Sequence, residues 1–194
     1  MKIPGITWRG ESIDDMEILR DLPPGLVRIL SDTNGFILHD GALHVRGASL
    51  MPEWHSLRVA WRGPSAFHTL YESVQVADIP FAQDQVGDQF LIRDTAVLRL
   101  SAETGEVERL ADGFEDFFSR VSEDIEGFLN VGLRHAMQPG QLLLACPPFV
   151  IQESGADASL KPVRAGELIL FHADLARQIR DVPDGGQVEF RVTD

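Results

Sequence analysis

The run IPFAQDQVGDQFLIRDTAVLRLSAETGEVERLADGFEDFF at 79–118 constrains this chain most, because strand periods and a helix period follow one another in it with no room for a linker. Gly87-Asp88 is a turn pair, since glycine takes positive φ at no steric cost. The spacing predicts a strand over 88–92 with Phe90 and Ile92 on one face, and a second over 96–100 with Leu98 and Leu100 turned inward. Glu103-Thr104-Gly105 reads as a hairpin turn into a third strand over 106–110. Asp112 is placed to cap a helix whose Phe114, Phe117, Phe118 and Val121 fall at i, i+3, i+4 and i+7. A sheet with one apolar face, followed at once by an amphipathic helix, is expected to fold the helix back onto that face. The implied class is α+β: a single, mostly antiparallel sheet packed by several helices.

Upstream, a short helix over 11–20 would bury Ile13, Met16 and Leu19. Leu22-Pro23-Pro24-Gly25 breaks it, and a helix over 24–33 follows with Leu26, Val27, Ile29 and Leu30 inward, stopped by Asn34-Gly35. His39-Asp40-Gly41-Ala42 reads as the turn of a hairpin between 36–38 and 43–45. Pro52-Glu53-Trp54 opens a helix towards Trp61, and another short helix reaches Tyr71. Downstream, Ser122 is placed to cap a helix with Ile125, Phe128, Leu129 and Leu133 on its apolar side, ended at Gln138-Pro139-Gly140. A strand over 142–145, a loop over 154–157 and a helix over 166–181 come next. That helix carries Leu168, Phe171, His172, Leu175, Ala176 and Ile179 as a stripe, and Val188, Phe190 and Val192 mark a last strand. No repeat or linker-like shift in composition divides the 194 residues, so 1–194 reads as one domain, with 133–194 a packed extension.

The chain carries 30 acids against 17 bases, a net charge of −13. That balance argues against direct nucleic-acid binding, which needs a basic surface to displace counterions, and against anionic membranes. The charge is unevenly placed. Residues 1–132 hold 22 acids and 11 bases, and the segment 103–126 alone holds nine acids against Arg109 and Arg120. A clustered acidic surface accelerates encounter with a basic partner and fixes its orientation; the simpler alternative is a solvated face with helix caps. No 18-residue apolar run and no secretory leader pattern is visible, so a cytoplasmic address is the expectation.

Candidate chemistry is sparse. The phosphate-cradling glycine loops, HExxH, GxSxG, CxxC and the EF-hand pattern are all absent. One cysteine, Cys146, excludes an internal disulfide and reads as a small buried residue. His172 on its apolar stripe reads as a core histidine. Asp84 and Asp88, or His39 with Asp40, are the pairs that an acid–base reaction would use; turn-capping is the simpler role for the aspartates. No catalytic, cofactor or metal site is expected.

The same residues carry a family resemblance. Leu22-Pro23-Pro24, Leu26, Leu30 and Asn34-Gly35 are followed by Ile79-Pro80-Phe81-Ala82, Gly87-Asp88-Gln89-Phe90, Gly105-Glu106-Val107 and the helix with Ala111, Phe114 and Phe117. In order and spacing this resembles the Smi/Knr superfamily, also called SUKH, with a family-like core at 18–132. The resemblance implies an α+β domain with one mostly antiparallel sheet packed by helices. It implies no shared catalytic residues. In bacteria such proteins are commonly immunity proteins, which bind and neutralise toxin domains. The expected function is therefore a non-catalytic binding module that occludes a cognate toxin, with a basic nuclease as the type the acidic charge suits. The alternative is a housekeeping scaffold of the Smi/Knr type for an endogenous partner. Chosen by charge density, the candidate contacts are Glu103, Glu106, Glu108, Glu115 and Asp116.

Overall fold

The computed structural model describes residues 3–133, 135–151, 158–183 and 185–186. Seven strands form one antiparallel sheet in chain order: β1 (Ile6–Arg9), β2 (Phe36–Leu38), β3 (Leu43–Val45), β4 (Ile79–Asp84), β5 (Gln89–Arg93), β6 (Ala96–Leu100) and β7 (Val107–Ala111). The chain is thus α+β, with this sheet packed by α1 (Met16–Arg20), α2 (Pro24–Asp32), α3 (Leu57–Arg62), α4 (Phe67–Leu70), α5 (Phe114–Glu123), α6 (Ile125–Leu129) and α7 (Ala165–Ile179). A separate two-stranded hairpin, β8 (Gln141–Cys146) with β9 (Ser159–Arg164), stands beside the main sheet. Its Leu143 N–H donates to the Gln85 carbonyl at 2.8 Å, tying it to the β4–β5 turn. No helix among the described residues is long and apolar enough to cross a membrane.

The meander and its following helix form where the periodicity placed them, but the sheet has two apolar faces. Side chains alternate across a strand. Phe90, Ile92 and Val97 therefore join one core cluster with Phe81, Phe117, Phe118 and Val121, whereas Leu91, Leu98 and Leu100 join another with Phe67, Tyr71, Ala173 and Ala176. α5 covers the first face. The second is covered by α4 and by α7, an element far downstream that the meander gives no sign of.

Several helix details differ from the sequence reading. α1 is only five residues long; Ile18 is its buried residue, and Met16 is 53% exposed. Gly113, not Asp112, stands at the start of α5, and Asp112 instead pairs with Arg109. Ser122 lies inside α5, and Asp124 caps α6 by accepting the Gly127 N–H at 2.9 Å. α6 stops at Asn130, which takes the left-handed conformation, so Leu133 lies beyond it and is exposed. On α7, Phe171 is exposed while its neighbour His172 is buried. Cys146 is exposed at the end of β8. The loop at 154–157 and the strand expected at Val188, Phe190 and Val192 lie outside the described residues.

Candidate functional site

Four of the five candidate acids are at the surface where the sheet ends. Glu106 and Glu108 belong to the turn and strand of β7, the last strand of the sheet, and Glu115 and Asp116 to the first turn of α5 immediately after it; all four are exposed. Glu108 lies opposite Arg99 across the β6–β7 pair, and Glu106 borders the cavity that Arg177 and Arg180 also line, whereas Glu115 and Asp116 are only weakly neutralised. Arg28 stands 4.0 Å from Glu115 and Arg120 stands 3.7 Å from Asp116, both across solvent, where such pairs are worth little. The free edge of β7 is partly closed by Arg120, which donates to the Leu110 carbonyl at 2.9 Å.

Glu103 does not belong to this strip. It is 8% exposed, its Oε2 accepts the Val150 N–H at 2.8 Å, and its Oε1 lies 3.9 Å from His172 Nε2. Burial raises its pKa above the ordinary carboxylate range. The turn after β6 meets α7 and the segment after β8, and that packing, which charge density along the chain does not register, takes Glu103 out of the exposed set.

Glu103 borders a buried seam at the end of the sheet. Asp84 Oδ1 accepts the backbone N–H groups of Val86, Gly87 and Asp88 at 2.9–3.0 Å, the turn-capping role. Asp88 takes Arg99 on Oδ2, at 2.7 Å from its Nε, and the Ala102 N–H on Oδ1 at 2.8 Å. Burial and the Asp88 charge push the Asp84 carboxyl well above its usual range, while burial holds the His172 imidazole down at about 4. His39 and Asp40 both take positive φ in the β2–β3 turn, where the Asp40 N–H donates to Thr7 Oγ1 at 3.1 Å. None of these aspartates lines the surface cavities of about 590 Å³ (between β1 and α2), 400 Å³ (beside α7) or 220 Å³ (beside α6); His39 borders the smallest, and Glu106 the cavity beside α7. Among the described residues, no three His, Cys, Asp or Glu come together as a metal site.

A second polar array was not singled out from sequence. Arg46 is 2% exposed and donates to the Pro80 carbonyl at 2.9 Å and to Gln83 Oε1 and Gln89 Oε1 at 2.6 Å each, with the Phe67 ring 5.4 Å away. Burial lowers its pKa to about 9. Gln83 turns its amide nitrogen to His44 Nδ1 at 3.4 Å, His44 Nε2 meets His55 Nδ1 at 2.9 Å, and His55 Nε2 meets the Asn34 carbonyl at 2.9 Å. A carbonyl only accepts, so His55 carries its proton on Nε2, His44 donates to His55 Nδ1, and Gln83 donates to His44. Trp8 and Trp54 pack on the two imidazoles with ring centroids 4.8–5.1 Å apart. The available signal was the alternation of Leu43, His44, Val45 and Arg46, polar groups at every second place of a strand buried on both faces.

Scans of the sequence against family models, against curated proteins and against solved structures return no match.

Proposed function

We propose that this chain is a protein-binding module without chemistry of its own, an immunity protein of the Smi/Knr (SUKH) type. It binds a cognate toxin domain, with a basic nuclease the best electrostatic fit, and neutralises it by occlusion in the cytoplasm. The carrying observation is the exposed strip of Glu106, Glu108, Glu115 and Asp116 along the sheet edge and the adjoining helix turn. Such a strip raises the local concentration of a cationic partner and orients it before contact. The reading is further supported by the motif order that resembles the family and by a fold of the class the family has. The Leu-Pro, Asn-Gly and Gly-Asp motifs serve the interior and its turns, which leaves recognition to the surface.

The test begins with co-purification of the toxin encoded beside this chain's gene. With that pair, reversing Glu106, Glu108, Glu115 and Asp116 to Lys slows association by about tenfold or more at low salt and flattens its salt dependence. Stopped-flow mixing reads both. An unchanged on-rate removes the strip from the interface. A partner encoded elsewhere, with no toxin activity, favours the scaffold reading instead.

A further inference from the structure

The strand edges of this protein are finished differently. At β7, Arg120 reaches over the edge to the Leu110 carbonyl. In the separate hairpin, β8 ties its Leu143 N–H to Gln85, and β9 carries Pro162, which has no N–H, beside Lys161. Proline and lysine are residues that keep other strands off an edge. β1, Ile6-Thr7-Trp8-Arg9, has neither. Among the described residues it pairs with β2 alone, so its outer row of N–H and C=O groups faces away from the sheet.

Beside that edge the layers do not close. The cavity of about 590 Å³ between β1 and α2 has Ile3, Ile6, Ile29 and Phe36 as its apolar wall, with Arg9 and Thr33 on its rim and Asp32 on the α2 side of the same rim. The bulge between Ile6 and Trp8 sets Ile6 and Arg9 on one face. Their β2 partners, Leu38 and Phe36, both join the core cluster that α2 and α5 cover, while Trp8 turns to His55 on the other face. Arg9 reaches from β1 to the end of α2, donating to Thr33 Oγ1 at 2.9 Å with one of its five N–H groups.

These features select one kind of occupant. A row of unpaired strand groups is satisfied by another strand, not by a helix or a lipid. Alternate side chains of that strand share the face of the cavity, so an apolar residue over the hole and an acid facing Arg9 stand two places apart. Every pairing in the sheet is antiparallel, and an antiparallel strand passes Arg9 before Ile6, so the acid comes first. Neither β1 nor residues 187–194 of this chain have that order: β1 holds no acid, and Arg191 stands two places after Glu189.

We infer that β1 is a strand-addition site for an extended peptide segment of a partner protein, one that carries an acid and, two places later, a large apolar residue. The peptide continues the sheet past β1, its apolar side chain fills the cavity and its carboxylate meets Arg9. β1 and β7 are the two ends of the sheet, so this site is separate from the acidic strip and goes beyond the proposed toxin contact.

A capped octapeptide of zero net charge, TKTETLTT, titrated into the whole chain under amide NMR, tests the assignment. The expected result is saturable shifts centred on the Thr7, Trp8 and Arg9 amides, half-complete below about 1 mM. Methylating alternate peptide nitrogens abolishes binding in one register and spares it in the other, because only every second N–H of a strand faces its neighbour. Arg9→Glu weakens binding about fivefold and makes the analogue with Lys in place of Glu the better ligand. No shift up to about 1 mM overturns the inference, and so does binding indifferent to methylation in both registers. Decanoate that displaces the peptide without moving the β1 amides would assign the cavity to a fatty acid. A concentration-dependent shift of those amides with no peptide present would assign the edge to a second copy. Either result sinks the peptide reading, and neither bears on the strip at β7, which is read by the rate of toxin association.

Discussion

Arg46 shows how a single side chain organises the centre of this protein. A guanidinium taken out of water loses far more solvation than neutral partners return, unless its donors find acceptors. Here two glutamine oxygens and a backbone carbonyl take three of its five N–H groups, the Phe67 ring lies 5.4 Å from its centre, and Gln83 passes the polarity on to the His44–His55–Asn34 chain. Asn34 then ties three segments together: its amide donates to the Glu11 carbonyl at 3.0 Å and to Ser49 Oγ at 2.8 Å, and its Oδ1 accepts the Ala48 N–H at 2.7 Å. Gly35 follows with φ +74°, and a Cβ there would strike the His55 ring. The Asn-Gly pair therefore does more than stop α2. Truncating Arg46 to Ala strands both glutamines and leaves a void, at a cost of about 2–4 kcal/mol; Arg46→Met, which fills the space, costs less. Urea unfolding of both variants checks the order, and an Arg46→Ala protein as stable as wild type would refute the account.

At the level of elements, length decides how much an isolated pattern can say. α5 has ten residues and a strong apolar stripe, and it buries Phe117, Phe118 and Val121 as the 3.6-residue period requires. α1 has five, too few for a period to fix its orientation. Its direction comes from outside: Asp15 caps it by accepting the Ile18 N–H at 3.0 Å while Arg58 of α3 binds the same carboxylate at 2.5–2.6 Å. The Arg58 guanidinium holds the Asp15 carboxyl below its usual range. Fixed there, the helix buries Ile18 completely and leaves Met16 in solvent. Ile18→Ala is accordingly expected to cost about 2–5 kcal/mol and Met16→Ala less than about 0.5 kcal/mol, by chemical denaturation. The reverse order would favour the buried Met16 that the sequence spacing suggests.

The whole molecule is a sheet covered on both faces, and its pH response follows from what the covering buries. The folded-state pKa values of His44, His55 and His172 all lie below the ordinary 6.5, with His55 and His172 at about 4 and burial the main cause. The unfolded chain therefore binds more protons below pH 6.5, so the stability these groups contribute is whole above 6.5 and lost as pH falls towards about 4, by at most about 1.4 kcal/mol per pH unit for each histidine. Asp84 and Glu103, with raised folded pKa values, act in the opposite sense and gain stability as pH falls. The histidines outnumber them, so the urea midpoint drops between pH 7 and pH 5. His172→Asn removes one titrating group and shrinks that drop; an equal drop in the variant would exclude His172 as a contributor.

Local order settled a large part of this protein. The alternation in 79–118, the turn glycines and the phenylalanine spacing of α5 are short-range patterns, and the strands and helix they specify appear within a residue or so of where they were expected. The acidic strip was legible in the same way, since β7 and the start of α5 adjoin in the chain. What sequence spacing did not carry was every contact between distant segments. That Leu98 and Leu100 face away from α5, that Glu103 turns inward to Val150 and His172, and that His44 and His55 share a proton-ordered chain are all decided by where α7, β8 and the loop before α3 come to rest. A period reports which residues share a face. Only the packed structure decides what that face meets, because burial depends on neighbours brought together by folding.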